Sequence, residues 1–207
     1  MAVEAELSGK RTTAARGGGG PVLAADGRWF DGARIVPSPH REPRPEGIAV
    51  DLLVVHGISL PAGSFGGPWV EALFTGTLDT DAHPDFAPLT GLRVSSHLFI
   101  RRDGELVQFV ALDERAWHAG VSSFDGRDNC NDFAIGIELE GTDTVPYTDR
   151  QYRMLARVAH QIMDAWPAIT GDRLVGHADI APGRKTDPGP AFDWHRFRGL
   201  LQGQGGN

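Results

Sequence analysis

Cysteine is nearly absent: Cys130 stands alone in 207 residues, which excludes an intrachain disulfide framework and any all-cysteine metal site. No stretch approaches the ~18–20 consecutive apolar residues that a transmembrane helix requires. Positive charge is in deficit, with 20 Lys and Arg against 27 Asp and Glu, a net charge of −7 and a pI near 5.6. That balance lacks the strongly basic footprint of a nucleic-acid or acidic-membrane binder. No secretory leader is expected either. Lys10 and Arg11 are followed by Thr12, Thr13 and the run Gly17-Gly18-Gly19-Gly20, where export needs about 7–15 apolar residues. The expectation is a cytoplasmic protein with neither a nucleic-acid nor a membrane partner, its oligomeric state open.

What is present is an ordinary globular composition, 41% hydrophobic and 23% charged, with 27 glycines, 14 prolines and 8 histidines. The length suits one domain. Residues 1–26 are polar and glycine-rich with no periodicity, and read as a flexible N-terminal tail ahead of a domain over 27–207. Leu52-Leu53-Val54-Val55 has no polar alternation, the pattern of a strand buried on both faces, and it ends at His56-Gly57. Pro68 to Phe74 is a short helix candidate with proline first, and 76–91 reads as a loop. Val94 to Val110, with Asp103-Gly104 between two apolar runs, predicts a hairpin. Phe133 to Leu139 predicts a strand with Ile135, Ile137 and Leu139 on one face and Gly136, Glu138 and Glu140 on the other. Thr148 and Gln151 form a capping-box pattern ahead of a helix that stops before Pro167. Leu174-Val175-Gly176 is a short strand leading to His177, and Asp193 caps a last helix. The fold class expected is α/β, a mixed central β-sheet flanked by helices, with ligands beyond the strand ends.

His56 and His177 both follow strands at such ends. His177 opens a segment to Pro190 that holds Asp179, Arg184, Lys185 and Asp187 among rigid Pro and Gly turns, the make-up of a functional loop on a rigid frame. A catalytic zinc takes three protein ligands, imidazole nitrogen and carboxylate oxygen among them, and leaves one position open. His56, His177 and Asp187 satisfy that requirement. Spacing alone does not select them, since there is no HExxH, and His97 and His118 compete. Beside a metal, Glu138 suits a general base and Lys185 an oxyanion stabiliser. Glu140 reads as an exposed carboxylate on an edge strand, and His118 beside Trp117 suits substrate contact as well as metal binding. Cys130 reads as a buried inert thiol.

The motifs Leu53-Val54-Val55-His56, Phe65-Gly66-Gly67-Pro68, Arg93-Val94-Ser95-Ser96-His97, Arg115-Ala116-Trp117-His118-Ala119-Gly120, Ile135 to Asp143 and Gly176-His177 through Pro190 occur together and in order. From about Arg34 to Arg198 the chain resembles the zinc-dependent N-acetylmuramoyl-L-alanine amidases, a family shared with peptidoglycan-recognition proteins and certain phage lysozymes. The branch it resembles acts on 1,6-anhydro-muropeptides in cell-wall recycling. That resemblance implies one Zn2+ held by His56, His177 and Asp187, Glu138 as base, and Lys185 as stabiliser of the tetrahedral intermediate. It also implies a muropeptide substrate, cut between the sugar's lactyl group and L-alanine. Arg93 and Arg184 would meet stem-peptide carboxylates, and Trp117 and His118 would line the sugar or peptide groove. Two positions depart from the pattern. Gly57 stands where Asn is expected, and Asn129 stands where a basic residue is common, a role that Arg127 could take instead. A peptidoglycan-binding module without catalysis would be expected to have lost the third ligand, and an exported amidase would be expected to carry a leader.

Overall fold

Leu52-Leu53-Val54-Val55 does form a strand with every side chain buried, and the sheet grows on both sides of it. In the computed structural model, which describes residues 20–204, six strands make this sheet: β1 (Arg34–Ile35), β2 (Leu52–Ile58), β3 (Leu98–Ile100), β4 (Leu106–Gln108), β5 (Ala134–Glu140) and β6 (Leu174–Gly176). Their order is β6-β2-β5-β3-β4-β1. β6, β2, β5 and β3 run parallel, β3 and β4 form the antiparallel hairpin, and β1 is parallel to β4. The sheet is therefore mixed, as the alternation of strands and helices predicts.

Four α-helices accompany the sheet among the described residues: α1 (Trp69–Phe74), α2 (Asp149–Ala165), α3 (His177–Ile180) and α4 (Trp194–Gln204). Thr148 Oγ1 accepts from the Gln151 amide at 3.2 Å and Gln151 Oε1 accepts from the Thr148 amide at 3.0 Å, so the capping box closes as read. Leu155, Ala159 and Ile162 of α2 and Phe197 of α4 cover the sheet face that carries Leu53, Val55, Ile135, Ile137 and Leu139. Among the described residues, the opposite face receives no long helix. Leu52, Val54, Ala134 and Val175 pack there against Ala119, Cys130, Phe133 and Ile180, while α1 covers Phe99 and Val107. Burial pushes the Cys130 thiol above its ordinary pKa, which fits an inert core residue. Among the described residues, no helix is long and apolar enough to cross a membrane.

Three local readings change. Val22–Leu23 pairs with Phe30–Asp31, and the Leu23 amide donates to Gln161 Oε1 on α2 at 2.8 Å. Residues 20–26 thus belong to the folded domain rather than to a tail, and a two-residue strand is too short to show periodicity; residues 1–19 lie outside the described residues. The hairpin shrinks to 98–108 because Ser96 and His97 turn their side chains to tertiary partners: Ser96 Oγ donates to the Gly136 carbonyl, and the His97 ring accepts from the Gly136 amide at 3.0 Å. Within the expected loop, Pro84–Leu89 forms a 3-10 helix.

Glu140 is neither exposed nor on an edge. β5 lies between β2 and β3, and Glu140 is buried, accepting from the Gly66 and Arg102 amides and facing Arg101. It ties the Pro61–Gly67 loop to the sheet. Glu140→Ala leaves the Gly66 and Arg102 amides without that acceptor and takes one of three carboxylates from Arg101, so stability is expected to fall by roughly 2–3 kcal/mol, with metal content unchanged. Denaturant unfolding checks this, and a change below about 1 kcal/mol would count against the clamp.

Candidate active site and metal centre

The strand register assembles the site. Glu138 is the direct neighbour of His56 across the β5–β2 ladder, and Gly176, paired with Val55, brings His177 to the same end of the sheet. His56, Glu138 and His177 therefore stand at the carboxyl ends of three adjacent parallel strands, the usual ligand position in open α/β sheets. Asp187 returns on the loop behind α3, where its carbonyl accepts from the Ala178 amide at 2.9 Å. These four residues line a cleft of about 270 Å³ with Lys185, Trp117 and His118, against an apolar wall that includes Leu60, Leu73, Leu89 and Leu92.

His56 Nδ1 and His177 Nδ1 lie 3.0 Å apart, and each is 3.2 Å from Asp187 Oδ2. Ligands held ~2.0–2.1 Å from a tetrahedral centre lie about 3.3 Å apart, so this triangle has the dimensions of one face of a zinc site. Two histidines and one carboxylate are also a zinc donor set. The remaining nitrogens are engaged: His177 Nε2 donates to the Ala119 carbonyl at 3.1 Å, and His56 Nε2 faces His118 Nδ1 at 2.9 Å. A bond on the far nitrogen is what leaves the near one free to bind metal.

The electrostatics separate the two carboxylates. Burial pushes Asp187 up, but hydrogen bonds with His177 and His56 outweigh it and hold the group well below the usual carboxylate range. Burial and the neighbouring Asp187 charge push Glu138 well above its ordinary value, against the pull of Lys185. Glu138 Oε2 is buried and has no hydrogen-bond partner among the described residues. One carboxylate held ionised and another tuned to carry a proton is how acid–base roles are divided in a site.

Burial also lowers three histidines: His56 to about 4, His97 to about 3, and His118 well below its ordinary value. Each contributes stability that is present above pH 6.5 and lost as the pH falls toward the folded value. Glu138 acts in the opposite sense, since its raised value favours folding as the pH falls toward about 4.5. Three lowered histidines outweigh the one raised carboxylate, so the metal-free protein is expected to lose stability as the pH falls below 6.5. Thermal melts in chelator between pH 7 and 5 check this, and a flat Tm would contradict it.

Other expected site residues are placed less simply. His118 lines the cleft but is largely buried, with its Nδ1 2.9 Å from His56 Nε2. The space over Gly136 is filled by that ring: a Cβ on Gly136 would lie 2.5 Å from His118 Cγ. His97 is no ligand candidate, because its ring nitrogens meet the Gly136 amide, the Glu114 carbonyl and Arg44. Trp117 lines the cleft, stacked on His40. Arg93 is exposed in an adjoining depression that shares Leu73, Leu89 and Leu92 with the cleft. Arg184 donates to the carbonyls of Ala119 and Val121. Arg127 is bound to both oxygens of Asp51 at 2.8 Å, so it does not replace a basic residue at 129. Gly57 has a local cause: a Cβ there would collide with Tyr147 Oη, which donates to the Pro188 carbonyl beside Asp187. Neither Tyr147 nor Asn131, which orders the segment around His118, carries a local sequence signal.

Fold and site together define a hydrolase of the N-acetylmuramoyl-L-alanine amidase family, to which the chain belongs: the family's sequence profile matches residues 46–190. Within it, the chain is 63% identical over 173 residues to the 1,6-anhydro-N-acetylmuramyl-L-alanine amidase AmpD of Escherichia coli K12, covering 84% of this chain and 94% of that protein. A crystal structure of a selenomethionine AmpD derivative superposes with a TM-score of 0.82 at 62% identity, over 84% of this chain and 96% of that one. More distantly, E. coli AmiD, solved with the substrate anhydro-N-acetylmuramic acid-L-Ala-D-gamma-Glu-L-Lys, matches with a TM-score of 0.54 at 30% identity, over 76% of this chain and 60% of that one.

Proposed function

We propose that this protein is a zinc-dependent amidase of peptidoglycan recycling. It hydrolyses the bond between the lactyl group of 1,6-anhydro-N-acetylmuramic acid and L-alanine in soluble muropeptides of the cytoplasm. The observation that carries this reading is the 3.0–3.2 Å triangle of His56, His177 and Asp187 beside the unpartnered carboxylate of Glu138. The names of the similar proteins support the choice of substrate.

His56, His177 and Asp187 would hold the zinc, which would supply Lewis acidity and make water a stronger acid. Glu138, which lines the cleft, takes the proton from the attacking water and returns it to the leaving alanine nitrogen. Lys185, lining the same cleft, offers its ammonium to the oxyanion that develops on the carbonyl. Trp117 and the apolar wall present surface to sugar and peptide, and Arg93 in the adjoining depression and the exposed Arg184 are the positive groups for the stem carboxylates. The test sets an anhydro-muropeptide against intact sacculi, with metal analysis of the same preparation. Release of stem peptide from the first alone is expected. Equal attack on sacculi would overturn the substrate assignment, and activity in metal-free protein would overturn the metal.

A further inference from the structure

His118 lies within hydrogen-bond reach of a proposed metal ligand, although it is itself no member of the triangle. Its Nδ1 is 2.9 Å from His56 Nε2, and the two rings meet edge-on with centroids 5.0 Å apart. For His56 Nδ1 to offer a lone pair toward His177 and Asp187, the His56 proton must sit on Nε2. His118 Nδ1 must then be the acceptor. Were His118 the donor, the His56 proton would occupy Nδ1 and block the metal position.

The surroundings are built to hold this ring. Gly136 leaves its space, since a Cβ would come within 2.5 Å of His118 Cγ. Asn131 Oδ1 accepts from the amides of both His118 and Ala119, at 3.0 and 2.8 Å, and so fixes the backbone. The next carbonyl, that of Ala119, takes the Nε2 proton of His177 at 3.1 Å. One clipped segment thus engages the far nitrogen of both histidines. The acceptor role puts the His118 proton on Nε2, which is buried and has no partner among the described residues. A ring kept only to fill space would gain nothing from that unsatisfied donor.

We infer that His118 is a positioning residue that sets the tautomer of His56, and so the zinc affinity, rather than a contact to substrate. This rests on the metal reading above. The experiment titrates metal-stripped full-length protein with zinc against a competing chelator, for wild type and for His118→Leu and His118→Asn. Leucine fills much of the ring's volume without an acceptor, whereas the asparagine amide oxygen sits near the place of Nδ1. His118→Leu is expected to weaken zinc binding about 10–100-fold, the usual effect of losing such a partner, and His118→Asn to recover most of it. Leucine binding zinc as tightly as wild type, or asparagine losing as much as leucine, would overturn the inference. A second measurement needs no variant: long-range proton–nitrogen correlation of the zinc-loaded wild type is expected to show the His56 proton on Nε2 and His118 Nδ1 bare. A proton on His118 Nδ1 would overturn the inference however the variants behave. Wild-type protein that takes up no zinc would overturn the metal reading first, and this inference with it.

Discussion

Glu138→Gln is expected to keep fold and zinc while losing activity by about 10²–10⁴-fold, the range for removing a general acid–base group. The amide preserves the shape of the side chain but cannot accept and return a proton. The same substitution should raise the stability of the metal-free protein at pH 7. Burial and the charge of Asp187 lift the Glu138 pKa in the folded state. The stability it contributes is therefore fully present below about 4.5 and lost as the pH rises through the folded value. Glutamine has no charge to bury, so its Tm advantage over wild type should grow from pH 4.5 toward neutrality. Bound zinc reverses the local logic by supplying a cation, and the advantage should shrink in the loaded protein. Equal activity of variant and wild type at equal metal content would remove Glu138 from the proton path. A variant less stable than wild type in chelator at pH 7 would contradict the electrostatic account.

His177→Ala is expected to abolish stoichiometric zinc and lower activity by more than about a thousandfold, since Lewis acidity and nucleophile generation leave with the metal. Two nitrogens and one oxygen within 3.0–3.2 Å of one another become two donors, fewer than the three protein ligands of a catalytic zinc site. Stripping the wild type with chelator should reproduce the loss, and added zinc should reverse it only in the wild type. A thermodynamic readout accompanies this: zinc at a hundred times its Kd stabilises the folded state by about 2.7 kcal/mol, a shift the variant should not show. Retention of one zinc per chain by His177→Ala would refute the ligand set. His97 could not then be the substitute without breaking its bonds to Gly136 and Glu114.

Local pattern alone carried much of this protein. The unbroken apolar run before His56, the period of two that puts Glu138 and Glu140 on one strand face, and the capping box at Thr148 are read within a few residues, because backbone geometry repeats over that distance. The residue types suited to a metal and a base were likewise visible, since imidazole, carboxylate and thiolate chemistry fits and a single cysteine rules out an all-cysteine site. What those residues face was decided in three dimensions. Glu138 and Glu140 share a face, yet one lines the cleft and the other is tied to the amides of Gly66 and Arg102. That follows from the position of β5 between two parallel strands and from where the loops cross its end. His118 turns inward because Gly136 and Asn131, distant in sequence, leave it a slot and fix its backbone. Gly57 is required by Tyr147, distant in sequence, whose hydroxyl occupies the place a Cβ would take. Side-chain direction at a loop is set by packing partners that no short window contains, and so the tautomers and charge states of this site belong to the tertiary structure.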